Sequence, residues 1–246
     1  MGNTLFYIGG TKGGVGKSFV SMALIDFLLS RYHGKKQTML IETDSTNPDV
    51  AKIYSKKIPT ETVALDETET AWLNLARIIY EHQDKFMVLN TAKGNSGITQ
   101  FGKMFQSSLE DCGIKLVTFW PMNRQVDSVD HLLEYLKIID YGQIFPIRNN
   151  YYGAAEDFVI LNNRLTKGKD KQLFLSRFSM DDVMDFPSLN DLFSLKMYSE
   201  RVAIEDIPEQ LIFFERALFN SWREKVYKMF EITGYFVDSS EEGEGE

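Results

Sequence analysis

The sequence of 246 residues contains a single cysteine, Cys112, and only three histidines. One cysteine excludes an intrachain disulfide framework, a cysteine-rich zinc site and any cluster held by several cysteines of one chain. The histidines, His33, His82 and His131, lie at no spacing that is typical of metal ligands. Cys112 follows a helical pattern, so we expect a small core residue there rather than a nucleophile.

Long apolar runs are also missing, because none approaches the 18 residues that a membrane span needs. The N-terminus enters a strand pattern with no basic segment or cleavage site before it, so we expect a cytoplasmic protein. Positive charge is scarce, since 27 Lys and Arg stand against 35 Asp and Glu for a net charge of −8. This balance argues against broad, unassisted binding to nucleic acid, although it is compatible with a local basic patch or a DNA-binding partner.

Short apolar runs rich in β-forming residues alternate with helical patterns along much of the chain. The predicted strands are residues 4–8, 38–41, 86–89, 115–119 and 158–161, and the first predicted helix covers residues 16–31. This alternation predicts an α/β fold with a doubly wound, mostly parallel sheet and helices on both faces. Ligands of such sheets bind at the carboxyl ends of the strands.

We predict one domain, residues 1–237, followed by an acidic, disordered tail, residues 238–246. The last predicted helix, residues 210–230, has an apolar stripe that we expect to pack in the core: Leu211, Phe214, Leu218 and Trp222. Its charges are of mixed sign and an acidic tail follows it. The sequence therefore argues against binding to an anionic membrane.

The segment GGTKGGVGKSFV, residues 9–20, separates the first predicted strand from the first predicted helix. Backbone N–H groups of such a glycine-rich turn bind phosphate at a helix N-terminus. Lys17 would reach the β- and γ-phosphates of a nucleotide, and the Ser18 hydroxyl would bind Mg²⁺. The nucleotide-binding residues predicted in this loop are Gly13, Gly14, Val15, Gly16, Lys17, Ser18 and Phe19.

The loop departs from the usual pattern G-x-x-x-x-G-K-[ST], since Thr11 stands at the first glycine and Lys12 follows it. Residues 12–18, KGGVGKS, match the form K-G-G-x-G-K-[ST] in full and resemble the ParA/MinD family of P-loop ATPases. The resemblance implies a homodimer that forms on ATP, in which Lys12 crosses the interface to the phosphates of the other subunit. The alternative is that Lys12 is a solvated loop charge.

The segment ETDSTNPD after the second predicted strand looks like the D-x-D-x-x-N segment of that family, with Glu42 in place of the first acid. Asp44 and Asn47 match, and the resemblance implies that Asp44 contributes to the Mg²⁺ site and orients or activates the attacking water. Lys12, Lys17 and Asp44 are thus the expected catalytic residues. An acid at this position also fits a role in capping the following turn.

Two further strand ends are compared with the same family. VLNNRL resembles its adenine-contacting segment, which implies that Asn162 binds the base and that Arg164 stacks nearby, although Asn is also a common turn residue. The family usually places an aspartate for Mg²⁺ where this chain has Asn90. An amide brings no negative charge, so we expect weaker Mg²⁺ binding and slow hydrolysis, or a nucleotide switch without hydrolysis. Residues 91–97 would sense the γ-phosphate.

The motifs most resemble the StbB/TraL-type ATPases of plasmid stability and conjugation. That resemblance implies an ATPase that positions or stabilises plasmid DNA through a DNA-binding adaptor protein, with nonspecific DNA contact and nucleoid association as further expectations. A MinD-like ATPase on a membrane or scaffold, an ATP-dependent metabolic enzyme and a nucleotide-binding adaptor with little hydrolysis are the alternatives.

Overall fold

The computed structural model describes residues 3–10, 12–32, 38–94 and 97–234. Thr11, His33 and the predicted acidic tail, residues 238–246, lie outside these ranges, as do residues 235–237 of the predicted domain and residues 95–96 of the predicted γ-phosphate sensor. The described part of the chain forms one sheet of seven strands in the order β3-β2-β4-β1-β5-β6-β7. These strands are Thr4–Ile8 (β1), Thr38–Glu42 (β2), Thr60–Thr62 (β3), Phe86–Asn90 (β4), Lys115–Met122 (β5), Gln143–Asn149 (β6) and Met184–Phe186 (β7).

Every pair of neighbouring strands in this sheet is parallel, which confirms the predicted α/β class. The helices lie on both faces of the sheet, and the last two follow β7. They are Lys17–Arg31 (α1), Asp49–Tyr54 (α2), Glu69–Glu81 (α3), Gly97–Asp111 (α4), Val126–Ile138 (α5), Val159–Thr166 (α6), Lys171–Leu175 (α7), Asp191–Ser199 (α8) and Phe213–Glu231 (α9).

The central strand β1 is buried along its whole length because helices cover both faces of the sheet. Its side chains alternate between two cores, as the pleat of a strand requires. Phe6 and Ile8 pack with α1 and α9, whereas Leu5 and Tyr7 pack with α3, α4 and α5. Cys112 is partly buried against the second core, just after α4.

The predicted strand at residues 158–161 is wrong, because α6 begins at Val159. Four apolar residues fit a buried strand and one helical turn equally well, and here Leu161 and Leu165 recur at helical spacing on the buried face. The strand that occupies this place in the sheet is β6, residues 143–149, which the sequence analysis missed. Pro146 within it lowers its resemblance to a strand that is paired on both sides.

The expectation that one stripe of the last helix packs in the core is wrong for two of its four residues. Trp222 and Leu211 are buried, but Phe214 and Leu218 are 68% and 49% exposed. The face of α9 that packs on the core is instead Phe219, Trp222, Val226, Tyr227, Met229 and Phe230. Within the described residues, no helix combines the length and the apolar character that a bilayer-crossing segment needs.

A buried ionic contact fixes α9 to α1. Asp26 is 1% exposed, and its carboxylate accepts hydrogen bonds from the Arg223 guanidinium at 2.6 and 3.0 Å and from the Tyr227 hydroxyl at 2.7 Å. Burial raises the pKa of Asp26, while the bonds from Arg223 and Tyr227 oppose that rise. A buried carboxylate of this kind is tolerated because its partners are in place.

Replacement of Arg223 by alanine is expected to lower the free energy of unfolding by about 3 kcal/mol, because it leaves Asp26 buried without its cation. Urea denaturation followed by circular dichroism measures this change. Lys225→Ala, at an exposed position of the same helix, should change the free energy by less than about 0.5 kcal/mol. Equal effects of the two substitutions would contradict the assigned role of Arg223.

Candidate nucleotide-binding site

The glycine-rich loop lies between β1 and α1, at the carboxyl edge of the sheet. Gly14 and Gly16 have positive φ values of 75° and 105°, a conformation that glycine adopts without strain. A Cβ atom on Gly16 would lie 2.5 Å from the Asn149 amide nitrogen, so no side chain fits there. The loop leads directly into α1, whose N-terminus favours an anion.

One residue at the end of β6 and one just after this strand hold the loop in place. The Asn149 side-chain amide donates to the Val15 carbonyl at 3.0 Å, and the Tyr152 hydroxyl donates to the Gly14 carbonyl. The sequence analysis missed both residues because it did not recognise β6. The signal in the sequence is the polar run RNN that follows the apolar residues of that strand.

A cleft of about 360 Å³ opens beside the loop. It brings together most of the predicted loop residues with Asp44 from the end of β2 and Thr91 and Lys93 from the end of β4. Lys93 lies in the segment of residues 91–97 that was predicted to sense the γ-phosphate, although the sequence analysis did not single out this cation. The residues that line the cleft are Gly13, Gly14, Gly16, Lys17, Ser18, Phe19, Asp44, Thr46, Asn47, Asp49, Thr91, Lys93 and Tyr198.

Lys17 is the cation at the centre of this cleft and is only 7% exposed. Its ammonium donates to the Lys12 carbonyl at 2.9 Å. Burial lowers the pKa of Lys17 to about 8, and the attraction of Asp44 only partly offsets this effect. An anion bound in the loop would raise the pKa again, so the geometry fits a phosphate ligand.

Asp44 takes part in the turn after β2 and also lines the cleft. Its carboxylate accepts from the backbone N–H groups of Thr46 and Asn47 at 3.1 and 2.8 Å, which is the capping role considered as an alternative. The same residue borders the cavity near Lys17 and Ser18. Turn capping and a role at the phosphates are therefore compatible in this geometry.

Asn90 lies beneath the cleft in a buried hydrogen-bonded chain. Its amide nitrogen donates to the Glu42 carboxylate at 2.9 Å, and its amide oxygen accepts from the Ser21 hydroxyl at 2.9 Å. Glu42 has no exposed surface, and burial raises its pKa while hydrogen bonds from Asp44, Asn90 and Ala51 oppose the rise. At these two neighbouring strand ends, Glu42 supplies the negative charge and Asn90 supplies the hydrogen-bond donor. The role of Asn90 towards Mg²⁺ stays a prediction.

Asn162 and Arg164 are not at a strand end, because residue 162 lies in α6. The Asn162 amide donates to the Ala155 carbonyl at 2.9 Å, and Arg164 pairs with Asp130 at 2.5 Å. Neither residue is among those that line the cleft. The placement on which their assignment depended is wrong, and base contact by these two residues stays a prediction without support from the geometry.

A second cavity of about 290 Å³ adjoins the cleft on the side of β6 and α8. The two cavities share Gly14, Gly16, Phe19 and Tyr198, so they form one continuous groove. Aromatic rings with a few polar groups around them suit a planar base and a sugar. The residues that line this cavity are Gly14, Gly16, Phe19, Asn149, Tyr151, Tyr152, Ser188, Leu189, Asp191, Ser194 and Tyr198.

The Lys12 side chain is directed to α5. Its ammonium donates to both carboxylate oxygens of Asp127, at 2.5 and 2.6 Å, and to the Gln125 side-chain oxygen. Lys12 lowers the pKa of the Asp127 carboxyl by this contact. The two lysines of the loop are therefore used differently, since Lys17 faces the cleft and Lys12 contacts its own subunit.

The parallel sheet and the glycine loop at its carboxyl edge define a P-loop NTPase-like α/β protein. No protein-family model matches the chain. Protein MobD of Acidithiobacillus ferrooxidans is 34% identical over 233 residues, which are 94% of this chain and 98% of that protein. The chain belongs to the same family as MobD.

Among solved structures, chloroplast FtsY from Physcomitrella patens matches 67% of this chain with a TM-score of 0.45 and 11% identity. This chain covers 55% of that protein. The fold class follows from the strand order and the loop of this chain itself.

The lowered pKa of Lys17 predicts a pH dependence of nucleotide binding. Below pH 8, Lys17 of the nucleotide-free protein is already charged. Above pH 8, Lys17 must take up a proton when the nucleotide binds, because the phosphates raise its pKa. The affinity for ADP is expected to fall about tenfold per pH unit above pH 8, a range in which the phosphates keep a constant charge. Isothermal titration calorimetry between pH 7 and pH 9.5 measures it.

The control for that experiment is Lys17→Met, which should bind ADP weakly with an affinity that does not vary over this pH range. A wild-type affinity that is constant from pH 7 to pH 9.5 would contradict the assignment of Lys17 as the phosphate-binding cation.

Substitution of Asn90 by aspartate is expected to destabilise the protein by about 2–4 kcal/mol at pH 8, because it sets a second carboxylate against buried Glu42. The pair would bind a proton in the folded state, so its folded pKa lies above the unfolded value of about 4. Stability is then retained at low pH and lost as the pH rises through the folded pKa.

Thermal denaturation at pH 5 and pH 8 measures this loss. The double variant Glu42→Gln with Asn90→Asp exchanges acid and amide, and it should recover most of the stability at pH 8. A single variant as stable as the wild type at pH 8 would show that the two side chains do not interact.

Proposed function

We propose that this protein is an ATP-dependent dimerising switch of the ParA/MinD type that hydrolyses ATP slowly. The observation that carries the proposal is that the two loop lysines make different contacts. Lys17 lines the phosphate cleft, whereas Lys12 lies outside it, on the side of α5. A lysine placed there does not serve its own phosphate site, and once released from α5 it is available to a phosphate site in a second subunit.

The groove accommodates the nucleotide with its phosphates in the first cavity and its base in the second. The phosphates accept from the backbone N–H groups of residues 13–18 and from the Lys17 ammonium. Phe19 and Tyr198 border both cavities, where they contact the sugar and the base. Mg²⁺, when bound, neutralises charge on the phosphates, with the Ser18 hydroxyl as a ligand and Asp44 beside it.

Hydrolysis in this site consists of attack by water on the γ-phosphorus and cleavage of its bond to the bridging oxygen, which gives ADP and phosphate. Asp44 orients the water and accepts its proton, while Lys17 stabilises charge on the phosphoryl oxygens. Asn90 adds no negative charge for Mg²⁺ because an amide is neutral, and its amide oxygen already accepts from Ser21. The rate is therefore expected to be low.

We propose further that the dimer positions or stabilises plasmid DNA through a DNA-binding partner protein, with a role in conjugative transfer as one setting for this activity. The net charge of −8 supports a partner rather than broad, direct DNA binding. This assignment extends the resemblance of the loop and of the segment at residues 42–49 to the ATPases of plasmid stability and transfer.

A second candidate is a nucleotide-binding adaptor that does not hydrolyse ATP, and the geometry of Asn90 favours it. Both polar atoms of this amide have protein partners, Ser21 and Glu42, at the place where the related ATPases supply an acid. Phosphate release with Mg²⁺, DNA and a candidate partner protein present distinguishes the two functions. Turnover that is abolished by Asp44→Asn supports the ATPase, whereas no release above the buffer control supports the adaptor.

The dimer proposal is tested by the two lysines separately. Lys12→Ala should bind ATP within about threefold of the wild type but lose ATP-dependent dimerisation, because its charge acts on the other subunit. Lys17→Ala should weaken ATP binding roughly 10- to 100-fold, since it removes a charge-assisted hydrogen bond in the same subunit. Equilibrium dialysis and sedimentation velocity measure binding and dimerisation.

Lys137→Ala, at an exposed position of α5, serves as the control and should leave both properties unchanged. If Lys12→Ala still dimerises on ATP like the wild type, the proposed role of Lys12 across the interface is wrong.

A further inference from the structure

The contact of Lys12 within its own subunit uses the whole hydrogen-bonding capacity of its ammonium. A lysine ammonium has three N–H donors and no acceptor. The three acceptors around it are the two carboxylate oxygens of Asp127 and the side-chain oxygen of Gln125. Lys12 must therefore leave this site before it can bind a phosphate of another subunit.

The backbone that carries the acceptors is held in place independently of Lys12. Asp127 lies in the first turn of α5, and Gln125 immediately precedes that helix. The Asn123 side-chain oxygen accepts from the Gln125 N–H at 3.0 Å and from the Ser128 hydroxyl at 2.7 Å, which fixes the turn. The backbone that carries Asp127 and Gln125 is thus fixed without Lys12, and both acceptors extend from one short segment at the start of α5.

The same contact reaches the phosphate cleft through the backbone. The Lys12 carbonyl accepts from the Lys17 ammonium at 2.9 Å, so the loop satisfies Lys17 while its own lysine side chain is bound to α5. The Lys17 ammonium has two further N–H donors for phosphates, so a bound nucleotide and the Lys12 carbonyl would contact the same ammonium. Nucleotide binding and the position of the Lys12 backbone are therefore connected at one residue.

We propose that Asp127, together with Gln125, is a positioning residue that retains Lys12 within its own subunit and thereby sets the nucleotide concentration at which dimers form. This inference rests on the proposed function, in which Lys12 acts across the dimer interface. The acceptor site on α5 and the phosphate of the second subunit compete for one ammonium.

The size of the effect follows from the symmetry of the dimer. An ion pair whose carboxylate is 48% exposed favours the bound state of Lys12 by roughly fivefold at most. Only subunits that have released Lys12 can dimerise in this scheme. Because a homodimer needs two such subunits, the fivefold factor enters the dimer dissociation constant as its square. Removal of Asp127 is expected to strengthen dimerisation by up to about 25-fold.

The experiment is a double-mutant cycle with full-length wild type, Asp127→Asn, Lys12→Ala and the double variant. The dimer dissociation constant is measured by sedimentation velocity with a non-hydrolysable ATP analogue. Asp127→Asn should lower this constant by up to about 25-fold in the wild-type background and should not restore dimerisation in the Lys12→Ala background. Glu134→Gln, an exposed acid further along α5, removes the same charge and should change the constant less than twofold.

A second measurement tests the contact without dimerisation. Acetic anhydride modifies free lysine amines, and mass spectrometry gives the rate at Lys12 relative to Lys137 in the nucleotide-free protein. Asp127→Asn should increase the relative rate about fivefold if the contact occludes the amine. An unchanged rate at Lys12 would show that Asp127 does not retain the amine and would overturn the inference. This conclusion holds whether or not Asp127→Asn disturbs the start of α5.

The outcomes separate this inference from the proposed function. If Lys12→Ala dimerises like the wild type, the role of Lys12 across the interface fails, and the inference fails with it. If Lys12→Ala loses dimerisation but Asp127→Asn leaves the constant unchanged or raises it, only the inference fails. Equal tightening by Asp127→Asn and Glu134→Gln would assign the effect to general charge repulsion and would also overturn it.

Discussion

The parallel pairing of β1 with β4, and of β4 with β2, is the constraint on which the site depends. Its register places Ile8, Asn90 and Glu42 side by side at the last position of their strands. The phosphate loop follows Ile8, the segment with Lys93 follows Asn90, and the polar turn with Asp44 follows Glu42. Their proximity is a property of the sheet, since each strand is buried along its length and cannot shift register without exposing its core face.

The same register creates a chemical problem that the side chains resolve. Two acids at neighbouring, fully buried strand ends would repel each other in a medium that screens charge poorly. Here Glu42 keeps its carboxylate and Asn90 supplies an amide that donates to it, while Ser21 donates to the other end of the amide. Asn90 therefore complements Glu42, and it also departs from the aspartate that is usual in the ATPases that the loop resembles. The effect of a substitution at either position therefore depends on the side chain at the other.

The loop itself is supported from the far side of the sheet. Asn149 at the end of β6 and Tyr152 just after it bind the carbonyls of Val15 and Gly14. The conformation of the phosphate loop therefore depends on residues that are 134 and 138 positions away in the sequence. Lys12 depends on α5 in the same way. The contacts from Asn149 and Tyr152 occupy the carbonyls of Val15 and Gly14 and leave the N–H groups of the loop for an anion, as phosphate binding requires.

Local pattern alone determined the fold class and the phosphate loop. Alternating strands and helices predict a parallel sheet because the spacing of apolar residues in each element reflects its local geometry. The glycines of GGVGKS permit the positive φ that Gly14 and Gly16 adopt. Residues 158–161 and the stripe with Phe214 were assigned wrongly because four apolar residues do not distinguish a helix from a strand, nor a covered face from an exposed one. Only the tertiary structure decided the partners of Asn90 and Lys12. Glu42 and Asp127 are 48 and 115 residues away from them, and such contacts exist only once the sheet and its helices have assembled.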